Sequence, residues 1–162
     1  MRYLLALLAI AGLVVSVLAL REHYRTEPAP CAINSTWDCG AVNHSDFATL
    51  HGALAPVLPK RLADPFQDPK DIPAVLRVPV ADIGIAGYAV IALLALLRRR
   101  VSLLFAVLLG MAFALRLTYV EYNILETWCV FCVISQGIIA LILFLSAGWA
   151  VVGGRARRTT MG

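Results

Sequence analysis

The sequence predicts an all-α integral membrane protein, a bundle of four transmembrane helices with a long outer loop between the first and the second. Three observations carry this. The 162 residues are 60% hydrophobic and 15% charged, with a mean hydropathy of +0.81. An ordinary globular chain is about 45–50% apolar and about 25% charged. Four long runs are nearly free of charge, and the arginines gather on one side of them. So much apolar surface cannot be hidden inside so short a soluble chain. A single membrane domain, 1–162, is expected.

The first span is 3–20, which holds no charged residue. Arg2 followed by an apolar run also resembles a signal peptide. The run is longer than the usual stretch of about 7–15 residues and no A-x-A site follows, so a retained helix is expected. The second span is 80–97, charged only at Asp82, and the third is 101–120, charged only at Arg116. The fourth is 128–152, uncharged throughout. A hydrocarbon core about 30 Å thick needs about 20 helical residues, and each run fits.

With the amino terminus inside, the inner side holds Arg2, Arg98, Arg99, Arg100, Arg155, Arg157 and Arg158 and no acid. The other seven basic residues and all ten acidic ones fall outside or near the outer boundary. This is the positive-inside pattern. The net charge of +4 therefore reports topology rather than a nucleic-acid partner. Both termini are expected in the cytoplasm. The outer loop, 21–79, contains all eight prolines and all three histidines, so long regular elements are not expected there. One short helix over 46–54, with Ser45 as its N-cap, is expected. His23, His44 and His51 read as solvated loop residues, and 153–162 as a short basic tail.

The four cysteines are the chemical signal. Cys31 and Cys39 lie in the outer loop, and Cys129 and Cys132 open the fourth span. All four thiols fall on one membrane face, in a compartment that permits disulfides. A C-x-x-C pair at a helix start brings two sulfurs within bonding reach. The free N–H groups and dipole there favour a thiolate and hence a labile disulfide. Cys129, Cys132 and Gln136 follow at i, i+3 and i+7, a polar stripe expected to face the bundle interior. Two inert structural disulfides in a non-catalytic membrane scaffold are the alternative. A four-thiolate zinc site is less well matched, because Cys31-x7-Cys39 is wider than the usual ligand spacing. No C-x-x-C-H haem motif and no G-x-G-x-x-G fingerprint is present. An apolar cavity among helices suits a lipid-soluble quinone as electron acceptor.

These residues resemble the vitamin K epoxide reductase family over most of the chain. The loop reads Cys31-x7-Cys39 with Ser45 six residues on. The second span reads Pro79-Val80-x-x-x-Gly84-x-x-x-Tyr88, and the fourth opens with Trp128-Cys129-x-x-Cys132. The order of the cysteines separates the chain from the bacterial disulfide-bond oxidase, whose C-x-x-C lies in its first outer loop. The resemblance implies a four-helix bundle around a quinone, with Cys132 the sulfur nearer to it and no metal. It implies that Cys31 and Cys39 shuttle electrons from a thioredoxin-fold partner, Cys39 exchanging with Cys129, while Ser45 starts a short helix over the pocket. Gln136 stands where animal members carry a tyrosine, and Val80 stands near their quinone-binding asparagine, with Asp82 two residues on. The Ala/Leu/Arg-rich text reads as bacterial, so an inner membrane with the cysteines on the periplasmic side is expected. The partner is expected in trans.

Ser45, Asp82, Tyr88, Phe131 and Gln136 are the candidate quinone contacts. Asp82 and Arg116 are candidates to pair across the cavity, with snorkelling to the interface as the other reading. Tyr119, Tyr122 and Trp128 read as an interfacial aromatic belt.

Overall fold

A computed structural model of the chain describes residues 1–27, 31–34, 36–54 and 73–159. Much of the predicted outer loop, including Pro28, Pro30, Pro56, Pro59, Pro65 and Pro69, lies outside the described residues. The elements are α1 (Arg2–His23), α2 (Cys39–Asn43), α3 (Leu50–Leu54), α4 (Val80–Leu96), α5 (Arg100–Val120) and α6 (Val130–Thr159). Single 3-10 turns lie at Asp46–Ala48 and Ala74–Arg77, and a π-helical turn, Glu121–Leu125, extends α5. The described residues form no strand, only isolated bridges.

Among the described residues, three helices are long and apolar enough to cross a membrane: Arg2–His23, Arg100–Leu125 and Val130–Trp149. The apolar α4 is shorter, at 17 residues. The four long helices share one core. Leu5 and Ala9 of α1 meet Tyr88, Ile91 and Ala95 of α4, Leu103 and Val107 of α5, and Ile139 and Ile142 of α6. The outward faces are as apolar as the core. Phe105 is 71% exposed and Phe144 76%, which suits lipid rather than water.

Gly12 allows the tightest helix contact. A Cβ there would lie 2.3 Å from the Tyr88 ring. Its absence lets that ring lie against α1 while the Tyr88 hydroxyl donates to the Ser135 carbonyl of α6 at 2.8 Å. Gly12 thus lets one side chain tie three helices. Gly12→Val should lower thermal stability by about 1–3 kcal/mol through overpacking, and a melting curve unchanged from wild type would refute the contact.

The turn between α4 and α5 closes on Arg98, whose φ is 58°. Its N–H donates to the Ala95 carbonyl, and that of Arg99 to Leu94. This is a Schellman closure with an arginine where glycine is usual. An L-residue in this region costs about 1–2 kcal/mol.

Two expectations for the loop change. The predicted 46–54 helix is broken into the turn Asp46–Ala48 and α3, with Thr49 between them. Ser45 caps neither, because its hydroxyl donates to the Val42 carbonyl at 2.7 Å. Thr49 Oγ1 instead accepts the Gly52 N–H at 3.3 Å, satisfying a free donor of the α3 start. Residues 153–159, read as tail, continue α6.

Candidate functional site

A minimal backbone pairing brings the two cysteine pairs together. The Trp128 N–H donates to the Thr36 carbonyl at 2.8 Å, and the Asp38 N–H donates to the Trp128 carbonyl at 3.1 Å. The Trp37 and Trp128 rings stack across it, with centroids 6.2 Å apart. Trp128 is thus a half-buried docking residue, and the Tyr122 ring also packs on it, with centroids 6.1 Å apart. Because Trp37 pairs with Trp128, Cys39 and Cys129 both lie within two residues of the bridge and enter one cluster.

Each then enters a helix start. Asp38 caps α2, its carboxylate accepting the N–H groups of Gly40 at 2.8 Å and Ala41 at 3.1 Å. Cys129 immediately precedes α6. Cys39 and Cys129 are completely buried and share one apolar cluster with Val42. Cys31, Leu125, Phe131 and Cys132 pack against that cluster. All four sulfurs therefore meet in one place. Cys31 and Cys39 are joined as a disulfide, with Cα atoms 5.8 Å apart, while Cys129 and Cys132 are free thiols. No group of three or more His, Cys, Asp or Glu among the described residues is arranged to hold a metal ion.

Accessibility is graded along the four sulfurs. Cys31 is half-buried near the surface, Cys39 and Cys129 are sealed, and Cys132 is half-buried again. Cys132 and Gln136 line a largely apolar cavity of about 690 Å³ enclosed by α1, α4, α5 and α6. The predicted stripe is therefore divided, with Cys132 and Gln136 on the cavity and Cys129 turned to Cys39. Ser45, Tyr88 and Phe131 also line the cavity, but Asp82 does not. Gln136 is tied to α5 by a contact between its side-chain oxygen and the Thr118 hydroxyl. Val90 of α4 and Leu109 of α5 line the cavity yet are 49% and 64% exposed. The cavity thus opens sideways between those helices.

No ion pair joins Asp82 to Arg116. The guanidinium of Arg116 lies instead 5.4 Å from the centroid of the Tyr119 ring one turn along its own helix, and its nitrogens meet no hydrogen-bond partner. Arg25 forms ion pairs with Glu22 and Glu27. Of the histidines, His23 sits on α1 rather than in a loop. Its Nδ1–H donates to the Asn43 carbonyl at 2.6 Å, which binds α1 to α2.

Two site residues escaped the sequence reading. Asn43 is buried, and its amide donates to the Cys39 carbonyl at 2.8 Å and to Cys129 Sγ at 3.7 Å. It bridges the two sealed cysteines, and its place four residues after Cys39 was the available signal. Glu121 is 3% exposed, and its carboxylate accepts the Cys129 N–H at 3.3 Å. Its signal was an acid at the end of an apolar run, eight residues before Cys129.

Fold and site together define a helical membrane protein in which two cysteine pairs converge beside an apolar cavity. The chain matches the Vitamin K epoxide reductase family over residues 3–147 and belongs to it. That family is one of quinone-linked oxidoreductases of membranes. No individual curated protein gave a significant match.

Proposed function

We propose that this chain is a four-span membrane enzyme that oxidises the dithiol of a thioredoxin-fold partner and reduces a quinone of the vitamin K, menaquinone or ubiquinone type. The convergence of all four sulfurs, graded in accessibility and ending at Cys132 on an apolar cavity, carries this reading. The 17 residues of α4 fall at the short end of the roughly 17–25 that span a bilayer. The charge asymmetry of the loops supports cytoplasmic termini and cysteines on the periplasmic face of a bacterial inner membrane.

The partner's thiolate attacks Cys31, the accessible sulfur of the outer disulfide, and the partner's second thiol resolves the mixed disulfide. The reduced outer pair then passes its electrons inward. Cys39 attacks Cys129 of an oxidised inner pair, releasing Cys132, and Cys31 displaces Cys129 from Cys39. The outer pair is again a disulfide and the inner pair two thiols. This is the sulfur arrangement described above, the state poised to reduce quinone. Cys132 then delivers two electrons to the quinone, held among Tyr88, Phe131, Gln136 and the loop around Ser45.

Anaerobic purified protein with a small dithiol and added quinone tests this through the quinone absorbance. Wild type should form hydroquinone and oxidised dithiol in equal amounts. Disulfides that survive mild reductant, with no quinone consumed, would favour the scaffold alternative. Cys31→Ala should abolish turnover with a protein dithiol and spare turnover with a small dithiol that reaches the inner pair directly. Equal loss with both donors would overturn the shuttle role of Cys31.

A further inference from the structure

Reducing a quinone takes two protons as well as two electrons, and the relay of sulfurs accounts only for the electrons. The thiol protons must leave a pocket whose wall is overwhelmingly apolar. Among the described residues that line the cavity, Glu121 is the one acid. It is buried, and no ion pair among the described residues involves it. Besides accepting the Cys129 N–H, it shares the lining of that cavity with Cys132. It is held in the π-helical turn Glu121–Leu125, a rare geometry that is frequent at functional sites. A buried carboxylate without a cation is costly unless a function retains it.

The geometry points to Glu121 as the catalytic acid–base group of the quinone step, carrying protons from the inner thiols to the quinone oxygens. The inference rests on the quinone-reductase reading above. Glu121 takes the Cys132 proton as that sulfur gives up its electrons and releases it to one quinone oxygen. It then carries the Cys129 proton to the other. Two S–H bonds break, and one Cys129–Cys132 S–S bond and two O–H bonds form. Two electrons move from sulfur to the ring, and the carboxylate is regenerated. The hydrogen bond to the Cys129 N–H keeps the carboxylate beside both sulfurs throughout.

Glu121→Gln tests this, because it keeps an oxygen for the Cys129 N–H and removes only the capacity to carry a proton. Two rates are measured on the full chain. One is dithiol-driven reduction of added quinone. The other is electron transfer from the reduced outer pair to the oxidised inner pair without quinone, read by alkylation and mass mapping. The first should fall about 100-fold, the low end for loss of a general acid–base group, and the second should not fall, since removing a carboxylate beside Cys129 does not hinder departure of its thiolate. Quinone reduction within about threefold of wild type, a change far below the general acid–base range, would overturn the proposal. Glu121→Asp, which draws the carboxylate back by one methylene, gives a second reading should the glutamine variant not fold. It should lower kcat about tenfold with an unchanged quinone KM, a partial loss on the same scale, and kcat at the wild-type value overturns the proposal. Wild type that exchanges electrons between its cysteine pairs but reduces no quinone would instead bring down the reading on which the proposal rests.

Discussion

Cys132→Ala brings dithiol-driven quinone reduction down to the uncatalysed background, a fall of at least about 10⁴-fold, on the scale of removing a covalent nucleophile. Of the four cysteines, Cys132 alone lines the cavity, so no other sulfur can take its place without moving the start of α6. The variant still folds, because Cys132 is only half-buried and alanine suits the first turn of a helix. Its remaining thiol, Cys129, still lies in the same sealed cluster as Cys39. Without Cys132 to compete for it, Cys129 is free to exchange with the outer disulfide, and a Cys39–Cys129 cross-link accumulates. Peptide mapping of non-reduced protein detects that link. A variant that still reduces quinone, or one in which Cys39 and Cys129 never join, would break the relay at its inner step.

Asn43→Asp slows transfer between the two pairs by at least about tenfold while leaving the fold intact, because Cys129 departs as a thiolate when Cys31 displaces it from Cys39, and a carboxylate beside it makes it a poorer leaving group. The substitution changes no volume. It replaces an amide donor 3.7 Å from Cys129 Sγ with a carboxylate. The donor favours negative charge on that sulfur, and the carboxylate opposes it. Two unit charges about 4 Å apart repel by at most about 4 kcal/mol at an effective dielectric near 20, so even a fraction of this repulsion suffices. Mass mapping of the two pairs after rapid acid quench, compared with wild type, reads the transfer rate. Equal rates would show that Asn43 serves only to pack α2.

The four long helices were legible because a run without charge needs no partner to be recognised. Residues 3–20 and 128–152 lie within α1 and across α6 almost as read. The C-x-x-C pair was legible for a similar reason, since spacing alone places it at a helix start. Convergence of the two pairs was implied only by the family resemblance, as Cys39 exchanging with Cys129, and no residue pattern carries it. It depends on residues 36–38 pairing with residue 128, a contact too short to leave any periodic pattern. Glu121 was hidden because one acid at the end of an apolar run reads as a membrane boundary. Ser45 misled because a serine before a short helix has two uses for its hydroxyl, and the Val42 carbonyl claims it. Thr49 supplies the cap that Ser45 was expected to give.

The gap between Val90 and Leu109 faces the surrounding hydrocarbon rather than the aqueous loop. An acceptor entering there arrives by two-dimensional diffusion, and what matters is its mole fraction among the lipids. Turnover in proteoliposomes should therefore fall when phospholipid is added at fixed total quinone, even though the bulk concentrations of quinone and enzyme are unchanged. A water-soluble dithiol donor should show no such surface dilution.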